Sequence, residues 1–260
     1  MTEAKNSTQR DYGRHAHIGV LTPQANPTVE PELGLLFPAG VSMLTTRCTS
    51  KGAPRQRLLD YIHQAEQFLE TFDTLELDAA AFACTASSYL LEPGEEDQLL
   101  KRLEERFGYP MITASAAIGG ALNYLGAERI ALACPYPEWL HELSQTYWKQ
   151  QGFHIAASLS VQPEMGDTRA IYDICGSEAG EQIATALEGI KADVIVITGT
   201  GMPALKAIVE LQDRFGVPVF NSNLALAWSS LRAAGVPLNE RSPDQAFPLL
   251  GGWAEQLGSL

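Results

Sequence analysis

No stretch of this sequence reaches the roughly 18 uninterrupted apolar residues that a membrane-spanning helix requires. Its opening, MTEAKNSTQRDYGRHAH, also lacks the apolar core of a secretory signal. A cytoplasmic location with no membrane partner is expected, and the first dozen residues read as disordered. Basic residues are scarce: 18 Lys and Arg stand against 31 Asp and Glu, a formal net charge of −13. Phosphate backbones need clustered cations, which argues against a nucleic-acid partner, whereas a small anion held in a local pocket stays open. Cysteine is sparse as well. Cys48, Cys84, Cys134 and Cys175 lie far apart, fitting neither CxxC zinc ribbons nor a dense disulfide framework, so reduced thiols are expected. His15, His17, His63, His141 and His154 form no HExxH or other close ligand pair, so no metal is expected. The run GTGMP follows a strand-like segment but lacks GxGxxG and the Walker lysine, and no cofactor is expected from it.

What is present is an ordinary globular composition, 45% hydrophobic and 19% charged, over 260 residues. Short apolar runs alternate with segments of helical period, the pattern of a parallel sheet with helices on both faces. The strand candidates are His17 to Thr22, Val41 to Arg47, Ala79 to Cys84, Met111 to Thr113, Arg129 to Cys134, His154 to Ser160, Val194 to Thr198 and Val217 to Phe220. Between them Leu58, Leu59, Ile62, Phe68, Leu69 and Phe72 recur at helical spacing, as do Leu205, Ile208 and Leu211.

Three segments occur twice in the same order. HIGVLTPQANPTVEPEL pairs with RIALACPYPEWLHEL, DAAAFACTASS with DVIVITGTGMP, and YPMITASAAIGGAL with VPVFNSNLALAWSSL, the partners lying about 108 to 115 residues apart. The second pair superposes Asp78 on Asp193, Cys84 on Gly199 and Thr85 on Thr200. Duplication of a structural unit explains this spacing; chance matching of strand-like segments is the alternative. The fold class expected is α/β, as two similar Rossmann-like (flavodoxin-like) parallel-sheet halves related by a pseudo-twofold axis. Residues 1–126 with 220–260 form the first half and 127–219 the second. Ligands of open α/β sheets bind beyond the carboxyl ends of the strands, so the active site is expected in the cleft between the halves, with Asn26, Cys84, Tyr136 and Thr200 converging there.

The strand followed by TPQANPTVE, the ACTASS run, ITASAAIGGALNYLGAERIALACPY, GDTRAIYDI and NSNLALAW together resemble the aspartate/glutamate racemase superfamily, in its branch of maleate cis-trans isomerases and arylmalonate decarboxylases. The resemblance runs from His17 onward. It implies two facing cysteines at the ends of equivalent strands. This sequence departs from that pattern: Cys84 fills the first position and Gly199 the second, with Thr200 adjacent if the alignment slips by one. Two-base stereoinversion needs an acceptor and a donor on opposite faces of one carbon, so a two-thiol racemase is not expected.

Cys84 is followed by Thr85, Ala86, Ser87 and Ser88, whose backbone N–H groups fit an anion nest that favours thiolate; an inert buried cysteine is the alternative. Asn26 fits either an amide that orients a substrate carboxylate or a turn-forming residue before Pro27. The resemblance implies that Tyr136 donates its phenol to a carboxylate, the alternative being packing beside Trp139. Thr85 and Thr200 fit an oxyanion or carboxylate site, or simple helix caps. Gly199, Ser87 and Thr168 complete the substrate-binding candidates; Thr168 stands where the resemblance implies an asparagine. Arg47, at the end of the second strand, reads as structural, with pairing to a carboxylate as the alternative, and Cys48, Cys134 and Cys175 read as packing.

The activity implied is cofactor-independent isomerisation of a small unsaturated dicarboxylate or related carboxylate, with Cys84 as the single nucleophile, in a homo-oligomer. Three alternatives stay open: decarboxylation of a disubstituted malonate with Cys84 as proton donor, thiol-dependent hydrolysis, and carboxylate binding without chemistry.

Overall fold

The computed structural model describes residues 10–161, 167–238 and 249–259. The disorder expected at the start of the chain falls mostly on residues 1–9, outside that set; Arg10 is anchored by an ion pair to Asp78 at 3.1 Å.

The first half runs β1 (Ala16–Pro23), α1 (Val29–Leu36), β2 (Val41–Cys48), α2 (Pro54–His63), α3 (Ala65–Leu69), β3 (Ala79–Phe82), α4 (Thr85–Ser88), α5 (Glu95–Phe107), β4 (Met111–Thr113) and α6 (Ala114–Tyr124). The second runs β5 (Arg129–Cys134), α7 (Glu138–Gln150), β6 (His154–Ser160), α8 (Gly176–Ala186), β7 (Val194–Ile197), α9 (Leu205–Phe215), β8 (Val219–Asn221) and α10 (Ser222–Ala233). The strands form two four-stranded parallel sheets of order β2-β1-β3-β4 and β6-β5-β7-β8, the same topology twice.

The duplication extends to single hydrogen bonds. Asp78 Oδ2 accepts the His17 N–H at 2.8 Å, and Asp193 Oδ2 accepts the Arg129 N–H at 2.7 Å. Ala83 N–H donates to the Leu21 carbonyl as Thr198 N–H does to that of Ala133. At the last strand of each half, Thr113 and Asn221 cap the following helices through the N–H groups of Ala116 and Leu224. Chance similarity of strand-like segments does not produce matched registers of this kind.

The central strands β3 (AAAF) and β7 (VIVI) are buried throughout. Both faces of a parallel sheet are covered by helices, so such strands carry apolar residues without alternation. The boundary expected between residues 219 and 220 cuts through β8, which pairs with β7 in the second sheet, whereas the helix after it crosses over as that division expects: α10 packs on α6, α1, β3 and β4. Buried Ala114, Ala117 and Ala121 on α6 and Ala225 and Ala227 on α10 permit the close approach that ties the two halves.

Several expected boundaries moved, most by a single residue, and three of the changes have a visible cause. The strand at Ala79 ends at Phe82, because the chain turns at Cys84 (φ −146°, ψ 96°) into α4. The strand expected from Val217 starts at Val219, after Pro218, which has no N–H to give a ladder. The single helical period of Leu58 to Phe72 divides into α2, α3 and a 3₁₀ turn at Glu70–Phe72, closed by Asp73 at φ 50°.

Candidate active site

Past the carboxyl ends of the strands lies a small cavity whose walls come from both halves. The β1–α1 loop contributes Pro23 and Asn26, α2 contributes Arg57, Leu58 and Tyr61, and the β3–α4 turn contributes Cys84, Thr85 and Ala86. Tyr136 and Leu140, the 3₁₀ turn at Thr168–Asp173, and Gly199, Thr200 and Gly201 close it from the second half. Seven of the eight site residues expected from sequence therefore meet at one cavity. Ser87 is the exception.

Cys84 is buried, 5% exposed, at the N-terminus of α4. Its Sγ lies 3.2 Å from Ser87 Oγ, which is also 2.7 Å from the Leu58 carbonyl. A hydroxyl has one proton. Given to Leu58, it leaves a lone pair facing the thiol; turned to the sulfur, it stabilises a thiolate. Ser87 thus acts on Cys84 and does not line the cavity. Burial pushes the thiol up from its ordinary value, against the opposing pull of the Ser87 hydroxyl, the Ser87 and Ala86 N–H groups and the Arg57 charge. The turn assists thiolate formation as expected, but desolvation outweighs it, and the resting group is a thiol.

Around the sulfur stand neutral donors. Thr200 Oγ1 donates to the Ala83 carbonyl at 2.8 Å and accepts from Asn26 Nδ2 at 3.2 Å, so Asn26 touches the opposite half directly. Asn26 Oδ1 receives the N–H groups of Thr28 and Val29 at 2.9 and 3.2 Å. Both readings of this residue hold: its carbonyl builds the turn, and its amide keeps a second hydrogen at the cavity wall. Thr85 Oγ1 donates to Ser222 Oγ at 3.0 Å. The Tyr136 phenol is 3% exposed and its hydroxyl has no hydrogen-bond partner among the described residues. A buried hydroxyl without a partner costs free energy, and burial pushes its pKa well up, keeping the proton available.

Gly199, the counterpart of Cys84, has φ +87°, a region L side chains rarely adopt. A Cβ there would sit 2.6 Å from Pro135 Cγ and 3.0 Å from Ile171 Cδ1. The second half has neither the backbone nor the space for a thiol at this place.

Sequence reasoning missed Glu32 and Arg57, the two buried charged side chains among the described residues. Glu32 accepts from Ala204 N–H at 2.8 Å, Leu205 N–H at 3.3 Å, Asn221 Nδ2 at 2.7 Å and Asn223 Nδ2 at 2.8 Å. Asn223 also donates to the Thr200 carbonyl at 3.0 Å, fixing the loop that carries Thr200. Burial raises the Glu32 pKa while these four donors oppose the rise. Arg57 Nη2 donates to Asp167 Oδ1 at 2.6 Å and to Thr168 Oγ1 at 3.0 Å. The only hint in the sequence was helical phase: Arg57 stands one residue before Leu58, on the face that α2 buries.

Arg47 is structural, as expected: it donates to the Asn26 carbonyl at 2.7 Å and pairs with Glu30, away from the cavity. Cys48 and Cys134 are buried, but Cys175 is exposed, so the packing role expected for it is wrong. It sits at the N-terminus of α8, where the Ser177 hydroxyl and the N–H groups of Glu178 and Ser177 lower its pKa.

Residues 18–247 match the sequence pattern of the arylmalonate decarboxylase family. The chain belongs to that family. A maleate isomerase of Pseudomonas putida is 25% identical over 234 residues, 83% of this chain and 90% of its own. The crystal structure of maleate isomerase Iso from Pseudomonas putida S16 superposes with a TM-score of 0.80 at 23% identity, covering 91% of this chain and 98% of that one. A Nocardia farcinica maleate cis-trans isomerase, solved as a cysteine-to-serine mutant with a covalently bound succinylcysteine intermediate, gives 0.76 at 25% identity over 85% and 94% of the two chains. The resemblance read from the sequence motifs is borne out, and arylmalonate decarboxylase family members and maleate isomerases share this two-sheet architecture.

Among the described residues no helix is long and apolar enough to cross a membrane, and no His, Cys, Asp and Glu cluster is arranged to hold a metal.

Proposed function

We propose that the protein is a cofactor-independent cis-trans isomerase of a small unsaturated dicarboxylate, with Cys84 as its one nucleophile. The observation that carries this reading is a lone sulfur in a cavity lined from both halves by groups able to donate to carboxylates, Asn26, Tyr136, Arg57 and Thr168. The named activity of the relatives supports it, since maleate isomerases match over most of the chain.

In the mechanism, Cys84 loses its proton to solvent before the substrate fills the cavity, so the thiolate is the reacting form. The thiolate sulfur then adds to one alkene carbon. The π pair moves to the neighbouring carbon and into its carboxylate as an enediolate, held by the Tyr136 phenol and the Asn26 amide. The former double bond is now single and rotates. The electron pair returns, the carbon–sulfur bond breaks, and the trans alkene leaves with the thiolate restored. No proton is added to carbon at any step. The cycle therefore balances without a second thiol, which Gly199 excludes.

A second reading is decarboxylation of a disubstituted malonate. One observation favours it: the raised pKa of Cys84 keeps the proton that such a reaction must deliver to carbon. Proton NMR of maleate in deuterated water with the full chain tests the first reading. Growth of the fumarate singlet without deuterium at the vinyl carbons is expected. Inert maleate, together with loss of CO₂ from an arylmalonate, replaces isomerisation by the second reading.

A further inference from the structure

Among the described residues the cavity lining contains two arginines, Arg57 and Arg169, and no carboxylate, in a chain whose formal net charge is −13. Asp167, just outside the lining, serves both cations. It accepts from Arg57 Nη2 at 2.6 Å and from Arg169 Nε and Nη2 at 3.2 and 2.9 Å. One carboxylate between two guanidinium groups leaves a positive charge in excess. Among the described residues the other titratable groups of the lining supply none: Cys84 is a thiol, and burial raises the phenols of Tyr61, to about 12, Tyr136 and Tyr172.

Arg169 is half-exposed and can be screened by water, but the Arg57 side chain is only 5% exposed. Its Nη1 has one long contact, 3.4 Å to the Gly52 carbonyl, and so retains donor capacity. A buried guanidinium with spare donors and incomplete charge compensation is costly when empty. An anion entering the cavity would remove that cost, with planar donors suited to a carboxylate.

We propose that Arg57 is a specificity-determining residue: it receives the second acidic group of the ligand, so the cavity selects dianions over monoanions of the same carbon skeleton. Asp167 and Thr168 position its guanidinium. The proposal rests on the reading of this cavity as a carboxylate site and goes beyond it in naming the group that counts the charges.

The test uses saturated ligands, which bind without reacting and so separate recognition from isomerisation. Succinate and butyrate have the same four-carbon chain and differ by one carboxylate. Their protection of Cys84 against iodoacetamide is measured by peptide mass mapping on the full chain, with folding of each variant checked by circular dichroism. Succinate is expected to protect at concentrations at least about tenfold lower than butyrate, the discrimination a charge-assisted hydrogen bond provides. Arg57→Gln is expected to bring the two within about twofold, and Arg57→Lys to keep part of the preference. Equal protection by both ligands in the unmodified protein overturns the proposal, and needs no variant to fold. Full discrimination in Arg57→Gln overturns it as well. Absence of maleate turnover with the succinate preference intact contradicts the isomerase reading alone.

Discussion

Cys84 and Gly199 occupy equivalent places past the ends of β3 and β7 and line the same cavity, yet only the first can carry a side chain without strain. The left-handed φ of Gly199 and the nearness of Pro135 make the asymmetry a property of the backbone, beyond a change of residue type. Gly199→Cys is therefore expected to destabilise the protein by about 1 to 2 kcal/mol from the backbone alone, lowering Tm by roughly 2 to 8 °C. A thermal melt checks this. Unchanged stability with a gain of racemase activity would show that the loop re-forms around a second thiol.

Tyr136 separates function from folding. Its hydroxyl is buried and meets no hydrogen-bond geometry among the described residues, although the Thr198 and Thr85 hydroxyls lie close enough to act on it, so Tyr136→Phe is expected to change stability little. Loss of a donor to a developing negative charge should lower kcat about 10- to 1,000-fold. Melting curves and steady-state kinetics on one preparation suffice. A fall in Tm without a fall in kcat would give the phenol a packing role.

The direction of the pH dependence distinguishes the two chemistries proposed for Cys84. Burial raises this thiol above its ordinary value of 9.0, so the thiolate fraction climbs as pH rises toward and beyond that point. Nucleophilic isomerisation should accelerate through that range, whereas decarboxylation relying on the same proton should slow. Labelling must be read site by site. The exposed Cys175, whose pKa is lowered, is expected to react with iodoacetamide first at neutral pH, and Cys84 to follow with a midpoint above 9.0.

Asp167 sets the acid limit of the clasp between α2 and the second half. Shared by Arg57 and Arg169, its carboxyl falls from 3.8 to about 2. A depressed folded-state value contributes stability that is complete above the unfolded pKa and lost as pH falls through the folded one. Asp167→Asn should consequently lower Tm at pH 6 and show less difference from the unmodified protein as pH approaches 2. A pH-independent gap would mean that the carboxylate charge is not what holds the clasp.

Much of this was legible in the sequence because it rests on period and repetition. The runs AAAF and VIVI declare buried parallel strands, and the matched segments around Cys84 and Gly199 place both residues on one cleft. What escaped notice depends on contacts between distant segments. Arg57 looks like any cation on an amphipathic helix until Asp167, 110 positions on, meets it. Glu32 reads as first-turn acid of α1, yet its partners come from Ala204 to Asn223. Cys175 looked like packing because nothing in its neighbours reveals that a helix begins at the surface there. The thiolate-favouring turn after Cys84 was read correctly in kind and wrongly in balance, since its burial is a property of the closed cavity.

The most direct measurement is maleate turnover by Cys84→Ala, followed by NMR on protein whose circular dichroism and melting curve match the unmodified chain. The account predicts that no fumarate forms above background, because the bond-forming atom is gone while Asn26, Tyr136, Thr200 and Arg57 remain to bind. Fumarate produced by that variant at a rate near that of the parent would contradict it.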